Sequence, residues 1–248
     1  MIEPDSFMSH LVELRDRLLR CVIALAVVFG LLFYWARDIY AILAQPLLAS
    51  LPAGGQLIAT EVTAPFFVPI KVTMMAALVI ALPYLLYQTW AFVAPGLYAH
   101  EKKLVAPLII TSTLLFLCGM AFAYFLVFPV VFTFIIKVAP EGVAVMTDIG
   151  KYLDFVLTLF LAFGVTFEVP VAVVILVRMG MVSVAKLREI RPYVIVGAFV
   201  IGAIFTPPDV VSQVMLAVPL WVLYELGIIV AQWVVKPAAA ETGSDPAA

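Results

Sequence analysis

Acidic and basic side chains lie close together at the start of an otherwise apolar chain. Glu13 precedes Arg17 by four residues, and a second acidic residue, Glu101, follows a long charge-free run. On a helix, the spacing of Glu13 and Arg17 allows an ordinary stabilising ion pair. Two carboxylates on one face could instead hold a pair of guanidinium groups, because arginine binds a carboxylate bidentately through charge-assisted hydrogen bonds. The residues alone leave both interpretations open.

Two further acids, Glu168 and Glu225, lie within apolar stretches. A charge near the middle of a bilayer is costly, so an acid there usually faces a cavity or a partner. The alternative for Glu168 is a neutral carboxyl that is hydrogen-bonded to a backbone carbonyl freed by Pro170. Glu225 lies near the end of the last apolar run, where its side chain could simply reach the headgroups.

A proton relay through Glu168 would define a different class of protein, a secondary transporter or proton channel. Relays usually chain several ionisable groups, and transporters usually carry internal repeats. Glu168 is isolated and the sequence has no repeat. These observations argue against transport of ions.

The element that must position Glu13 and Arg17 is a short amphipathic helix over about residues 6–20. Its apolar residues recur at helical spacing, and its charged residues fall on another face. The apolar face comprises Phe7, Leu11, Leu14 and Leu18, and the polar face comprises His10, Glu13, Arg17 and Arg20. Such a helix lies at the headgroup boundary, so Glu13 is predicted to be a carboxylate at a membrane surface.

The composition is that of an integral membrane protein. Of 248 residues, 65% are hydrophobic and 12% are charged, and the mean hydropathy is +1.18. Six runs free of Asp, Glu, Lys and Arg are the candidate spans: 21–36, 72–100, 104–136, 155–167, 192–208 and 210–224. A membrane helix needs about 20 apolar residues, so the fourth run must continue through Glu168 to Val177 and the sixth through Glu225 to about Val235. We predict an all-α, polytopic fold with six transmembrane helices in one domain, residues 1–236, and a disordered tail, 237–248.

The distribution of Lys and Arg predicts the orientation in the membrane. Ten of these residues fall on the side of the N-terminal segment and four on the opposite side. Because Lys and Arg are enriched in the cytoplasmic loops of membrane proteins, both termini are predicted to be cytoplasmic.

Several boundaries follow from these runs. We expect an outer loop over 37–71 with an interfacial helix in 39–51, a bend at Pro129, and an outer loop over 137–154. Helices five and six are predicted to be short, since their apolar runs cover about 25 and 22 Å of a hydrocarbon core of roughly 30 Å.

The residues give no sign of a metal centre, a cofactor or an enzyme. Cys21 and Cys118 lie inside apolar runs, where a lone thiol is usually an ordinary small side chain. The sequence contains no phosphate-binding loop, zinc-protease motif or nucleophile elbow, and no basic patch that predicts nucleic-acid binding.

Several motifs resemble those of one family. They are HLVELRDRL at 10–18, APFF at 64–67, QTWAFVAPGLY at 88–98, GMAFAY at 119–124, FGVTFEVP at 163–170 and TPPD at 206–209. Together, and in this order, they resemble the TatC family, the membrane receptor of the twin-arginine protein translocase.

This resemblance implies a six-helix inner-membrane receptor that recognises the Arg-Arg motif of signal peptides on folded cargo. The positions that match the family's arginine-recognition site are Glu13 and Glu101, with Phe92 near them, and we include Arg17 in the predicted site. It also implies single-span TatA and TatB partners, transport driven by the proton gradient, and a homo-oligomer within the complex.

A second set of positions is predicted to meet partner helices. Thr206 and Gln213 resemble family positions of this kind, although a Thr and a Gln at a helix end are commonly just caps. Glu168 is the intramembrane polar residue in this set.

Overall fold

The computed structural model describes residues 4–42, 58–93, 102–131, 148–205 and 210–234. Its α-helices are, in chain order, α1 (Pro4–Leu32), α2 (Ala64–Val93), α3 (Lys102–Phe122), α4 (Ile149–Phe167), α5 (Val169–Arg178), α6 (Val184–Glu189), α7 (Arg191–Phe205) and α8 (Val210–Val234). Among the described residues Ile58 and Asp148 form an isolated β-bridge, and there is no β-strand. The all-α prediction is confirmed.

Six apolar helical segments confirm the predicted number of membrane helices. Five are long and apolar enough to cross a membrane: Met8–Ile42, Ala64–Val93, Val105–Val131, Ile149–Arg178 and Gln213–Trp233. The remaining segment, Arg191–Ile204, is shorter.

The two helices predicted to be short differ from each other. The 15 residues of α7 make a helix about 22 Å long. The 25 residues of α8 extend over about 37 Å. Only the charge-free part of α8 is short, because the helix itself continues past Glu225.

The predicted boundaries of the first outer loop were wrong at both ends. The first helix continues through a 3₁₀ turn, Phe33–Trp35, and through helical residues 36–42. The second helix begins at Ala64 instead of Val72, with Pro65 in its first turn, where a missing N–H costs little. Of the predicted interfacial helix, residues 39–42 belong to this continuation and the remainder lies outside the described residues.

The predicted second outer loop, residues 137–154, also extends too far at its C-terminal end. Helix α4 begins at Ile149, and the Asp148 side chain caps it by accepting a hydrogen bond from Lys151 N. Lys71 of α2 pairs with Asp154 of α4 at 2.6 Å. Both charged residues lie inside helices and pair with each other at the end of the bundle.

Asp148 joins this end of the bundle to the segment before α2. Its Oδ2 accepts hydrogen bonds from Thr60 N at 2.8 Å and from Thr60 Oγ1 at 2.7 Å. Ile149 N also donates to the Ile58 carbonyl. The Lys151 amide and the Thr60 hydroxyl and amide lower the pKa of Asp148 from 3.8 to about 2, because each donor favours the charged carboxylate. We call Thr60, Asp148 and their mutual bonds the Asp148 latch.

Two of the apolar runs are interrupted within the membrane. The third changes from α3 to a π-helical turn, Ala123–Val127, and returns to helix through residue 131. Pro129, the predicted bend, lies just after this turn and lacks the N–H that an α-helix requires. The fourth breaks at Glu168, between α4 and α5, and Pro170 stands in the first turn of α5.

Close backbone approaches hold the central helices together. A Cβ at Gly119 of α3 would clash with the Phe163 carbonyl oxygen of α4, and one at Gly227 of α8 would lie 2.9 Å from Pro170 Cα. Phe163 is fully buried in the core cluster. Helix α1 packs along α2, so its N-terminal turns lie against the C-terminal turns of α2.

Candidate binding site at the N-terminal helix

Glu13 and Arg17 form an ion pair that is anchored to a second helix. Arg17 Nε and Nη2 donate to the same oxygen, Glu13 Oε1, at 2.9 and 2.7 Å. Arg17 Nη1 donates to Gln88 Oε1 of α2 at 3.1 Å. Gln88 is buried at 4% exposure. The pair is therefore more than a stabilising contact within α1, since it fixes α1 to α2.

An aromatic stack lies beside this ion pair. The His10 and Phe92 rings are stacked, with centroids 4.4 Å apart and planes 19° apart. Residues 10, 13 and 17 of α1 and residues 88 and 92 of α2 share facing surfaces because positions three or four apart lie on one side of a helix. The structure thus brings together Glu13, Arg17 and Phe92 from the predicted site.

Gln88 is a site residue that the sequence analysis missed. It lies in the QTWAFVAPGLY motif, but its role depends on which face of α2 meets α1, and the motif does not reveal that. A signal was available, since a polar side chain within an apolar helix requires a hydrogen-bond partner when buried. Glu101 lies outside the described residues, and its place in the site stays a prediction.

Glu168 lies at the helix break in the fourth span, next to a second buried polar group. Trp90 Nε1 of α2 donates to Ser112 Oγ of α3 at 2.9 Å, and Ser112 is fully buried. The Ser112 hydroxyl is close enough to interact with Glu168. Both Glu168 carboxyl oxygens are buried without a well-formed hydrogen bond to the described residues, so the expected bond to a carbonyl freed by Pro170 is not formed there.

Trp90, Ser112 and Glu168 place polar atoms from three helices inside the apolar bundle. Ser112 Oγ accepts a hydrogen bond from Trp90 Nε1 and still has its own O–H to donate. We refer to these three residues as the buried polar chain. The sequence analysis identified Glu168, but Ser112 gave no signal beyond its polarity within an apolar run.

Glu225 and Gln213 make contacts between the last helices. Arg191 Nη2, at the start of α7, donates to Glu225 Oε2 of α8 at 2.6 Å. Glu225 is therefore paired with a basic residue of the neighbouring helix; its expected reach to the headgroups stays a prediction. Gln213 Nε2 donates to the Phe199 carbonyl of α7 at 2.9 Å, which ties α8 to α7 instead of capping its own helix. Thr206 lies outside the described residues.

The fold and these contacts define a class of protein. It is an all-helical, multi-pass membrane protein with an arginine–carboxylate site at one end of the bundle and an acid buried within it. Among the described residues no three His, Cys, Asp or Glu side chains are grouped as metal ligands would be.

Comparison with known proteins assigns the family. The model of the TatC family, described as Sec-independent protein translocase protein, matches residues 9–219. A TatC of Azotobacter chroococcum mcd 1 is 55% identical, with 98% of each chain covered. A TatC of Escherichia coli (strain K12) is also 55% identical, with 94% of this chain and 90% of the relative covered. The chain belongs to the TatC family.

Solved structures agree with this assignment. A crystal structure of the twin-arginine translocase receptor TatC aligns with a TM-score of 0.80 and 40% identity, covering 92% of this chain and 100% of that one. A second, of TatC in DDM, gives a TM-score of 0.81 at the same identity, covering 90% and 99%. The protein is thus a non-enzymatic, multi-pass membrane component of a protein translocase.

Proposed function

We propose that this chain is the receptor and core subunit of a twin-arginine translocase, and that it binds the Arg-Arg motif of signal peptides on folded proteins. The carrying observation is that Glu13 already holds a guanidinium, with an Arg17 Nη2 to Glu13 Oε1 distance of 2.7 Å. Both Arg17 donors share Oε1. A second guanidinium could use Oε2.

The surroundings of Glu13 support an arginine ligand. Its side chain is 39% exposed, so a peptide can reach it. Phe92, stacked on His10, offers an aromatic face beside it, and guanidinium groups stack well on aromatic rings. Glu101 supplies the second carboxylate in this proposal, one for each arginine of the motif.

The proposed orientation puts the Glu13 end of the bundle in the cytoplasm of the cell and the chain in the inner membrane. It rests on the excess of Lys and Arg on that side. Both termini are then cytoplasmic, the Asp148 latch lies on the outer side, and residues 1–236 form one membrane domain; the predicted tail, 237–248, lies outside the described residues.

The proposed partners are single-span TatA and TatB subunits, which work with this chain in a homo-oligomeric complex driven by the proton gradient. The short helix α7 supports a partner at this edge, because a short span is relieved by packing against another helix. Val196, Val200 and Ile204 of α7 expose more than half of their surface. Thr206, Gln213 and Glu168 are the proposed polar contacts.

A binding measurement with the solubilised full-length chain tests the proposed site. Glu13→Ala and Glu101→Ala should each weaken capture of an Arg-Arg signal peptide, because losing one partner of a charge-assisted bond costs about 1.5–3 kcal/mol, or about 10- to 150-fold. A Lys-Lys peptide should bind more weakly than Arg-Arg, since lysine lacks the planar fork.

Asp16→Ala is the matched control, because Asp16 pairs with the exposed Arg15 on the same helix. It should leave peptide binding unchanged. Equal binding of the Arg-Arg peptide by the wild type and by the variant with both Glu13→Ala and Glu101→Ala would reject the proposed site. Equal affinity for Lys-Lys and Arg-Arg would show that charge alone suffices.

A proton channel or secondary transporter using Glu168 is the second candidate, favoured by the burial of both carboxyl oxygens. Proton flux through reconstituted vesicles of this chain alone, lost in Glu168→Gln, would establish it. Vesicles without flux would leave the receptor as the function.

A further inference from the structure

We propose that Arg17 is an internal competitor for Glu13, which lowers the affinity of the site for every cationic peptide and so sets a threshold that a twin-arginine ligand exceeds. The inference rests on the proposed binding of peptide arginines at Glu13. It assigns to Arg17 a role opposite to that of a ligand-binding residue.

The geometry is that of an occupied site. Arg17 presents the group that an arginine peptide would present, and it makes two hydrogen bonds to Glu13 Oε1 at 2.9 and 2.7 Å. The Arg17 side chain is 22% exposed and that of Glu13 is 39% exposed. The internal guanidinium therefore lies on the helix side of the carboxylate, and the ligand must approach from the open side.

An incoming guanidinium cannot use both carboxylate oxygens while Arg17 holds one of them. Bidentate recognition places two parallel N–H groups on the two oxygens, so a peptide arginine must settle for Oε2 or displace Arg17. Arg17 lies on the same helix as Glu13, so it competes without the loss of translational and rotational freedom that a peptide must bear. Weak cationic ligands therefore lose to Arg17.

Gln88 can keep its hydrogen bond to Arg17 after a peptide has displaced Arg17 from Glu13. Its Oε1 accepts from Arg17 Nη1 at 3.1 Å, and this bond does not involve Glu13. When a peptide takes the carboxylate, Arg17 keeps one buried hydrogen bond, which avoids the penalty of an unpaired charge. The exchange thus moves Arg17 between two arrangements that share the Gln88 bond.

The competition has a defined consequence for specificity. Every ligand that displaces Arg17 meets the same cost, so the affinity ratio between arginine and lysine peptides does not depend on Arg17. The absolute affinities do depend on it, and the cost excludes ligands that are weak to begin with. A lysine peptide thus falls below useful affinity, whereas a twin-arginine peptide does not.

The experiment measures binding of synthetic Arg-Arg and Lys-Lys signal peptides to the solubilised full-length chain. Arg17→Leu should tighten both by about three- to tenfold, the range of one net hydrogen bond, with their affinity ratio unchanged. Arg17→Lys, which keeps the charge and loses the fork, should tighten both by less. Arg20→Leu is the control, because it removes the same charge one turn further along α1 and should change neither.

Two further variants separate the possible failures. With Glu13→Ala in place, Arg17→Leu should give no gain, because nothing remains to compete for. Gln88→Leu should weaken Arg-Arg binding when Arg17 is present and leave it unchanged in the Arg17→Leu background.

Weaker binding in Arg17→Leu would overturn the competitor and make Arg17 a residue that orients Glu13 for its ligand. Tightening of equal size in Arg20→Leu would also overturn it, since the effect would then be general charge repulsion. If Glu13→Ala and Glu101→Ala together leave Arg-Arg binding unchanged, the proposed function fails as well. If Glu13→Ala weakens binding and Arg17→Leu does not tighten it, the competitor alone fails.

Discussion

Glu168 is the residue whose chemistry depends most on its surroundings. In an apolar bundle the cost of desolvation falls on the charged form of a carboxyl group, and the neutral form is favoured. A neutral carboxyl can donate as well as accept a hydrogen bond. In the proposed function, Glu168 uses this donor at the break between α4 and α5.

Substitution of Glu168 separates a hydrogen-bonding role from a proton-relay role. Glu168→Gln keeps a donor and an acceptor of the same shape, so it should retain much of the transport activity. Glu168→Ala removes both, so it should lose association with partner subunits. Export of a folded reporter and co-purification of the partners measure the two effects.

The opposite result for Glu168→Gln would indicate a different role for the residue. If Glu168→Gln abolishes transport while the complexes remain intact, the residue acts by exchanging a proton. Ser112→Ala is a useful companion variant, because it leaves Trp90 Nε1 without its 2.9 Å partner and keeps the acid itself. Loss of assembly in Ser112→Ala would show that the buried polar chain, and not Glu168 alone, orders this region.

At the scale of elements, the Asp148 latch connects the segment before α2 to the start of α4. Its carboxylate is charged at any pH well above 2. A folded-state pKa below the ordinary 3.8 means that the stabilisation is fully present above about pH 4 and is lost as the pH falls towards 2. The latch should therefore hold unchanged between pH 5 and 8.

Thermal unfolding in detergent at a series of pH values tests the latch. Asp148→Ala should lower the midpoint at pH 7, because the α4 amides and Thr60 lose their acceptor. The difference from the wild type should shrink below about pH 4. Asp148→Asn keeps an acceptor without a titrating charge, so its own midpoint should lack this pH dependence, and its difference from the wild type should also shrink below about pH 4. A constant difference for Asp148→Ala down to pH 2 would contradict the role of the charge.

The membrane helices could be predicted from the sequence, because hydropathy alone determines where they are. The six apolar runs became six helices, because a membrane span must satisfy its own backbone hydrogen bonds. The ends of the helices were not predictable from charge-free runs. Lys71 and Asp154 were expected in loops, yet they lie in helices, where they pair with each other at 2.6 Å, since a charged residue near the end of a span does not end its helix.

Contacts between helices were the part that the sequence could not supply. Glu13, Arg17 and Phe92 were identified from motifs, and the structure brings them together. Gln88 and Ser112 required knowledge of which helix faces meet. A single sequence does not contain the rotation of one helix against another, so the partners of buried polar groups have to be read from the fold.

At the scale of the whole molecule, the bundle has one thin edge. Helix α7 is about 22 Å long against a hydrocarbon core of roughly 30 Å, whereas α8 beside it spans the full thickness. The mismatch of about 8 Å costs a fraction of a kcal/mol per Å, which amounts to a few kcal/mol. Packing of a partner helix against α7 would relieve it.

Lengthening α7 tests whether this mismatch drives assembly. Four leucines inserted before Thr206 add about 6 Å of apolar helix, so crosslinking to TatA and TatB from a Cys at Val200 or Val218 should weaken and transport should fall. Peptide binding at Glu13 should be unchanged, because that site lies at the ends of α1 and α2. Four serines inserted at the same point are the control, since they lengthen the chain without extending the apolar span. If the leucine variant assembles and transports as the wild type does, or if the partners crosslink to α1 instead, the thin edge is not their docking site.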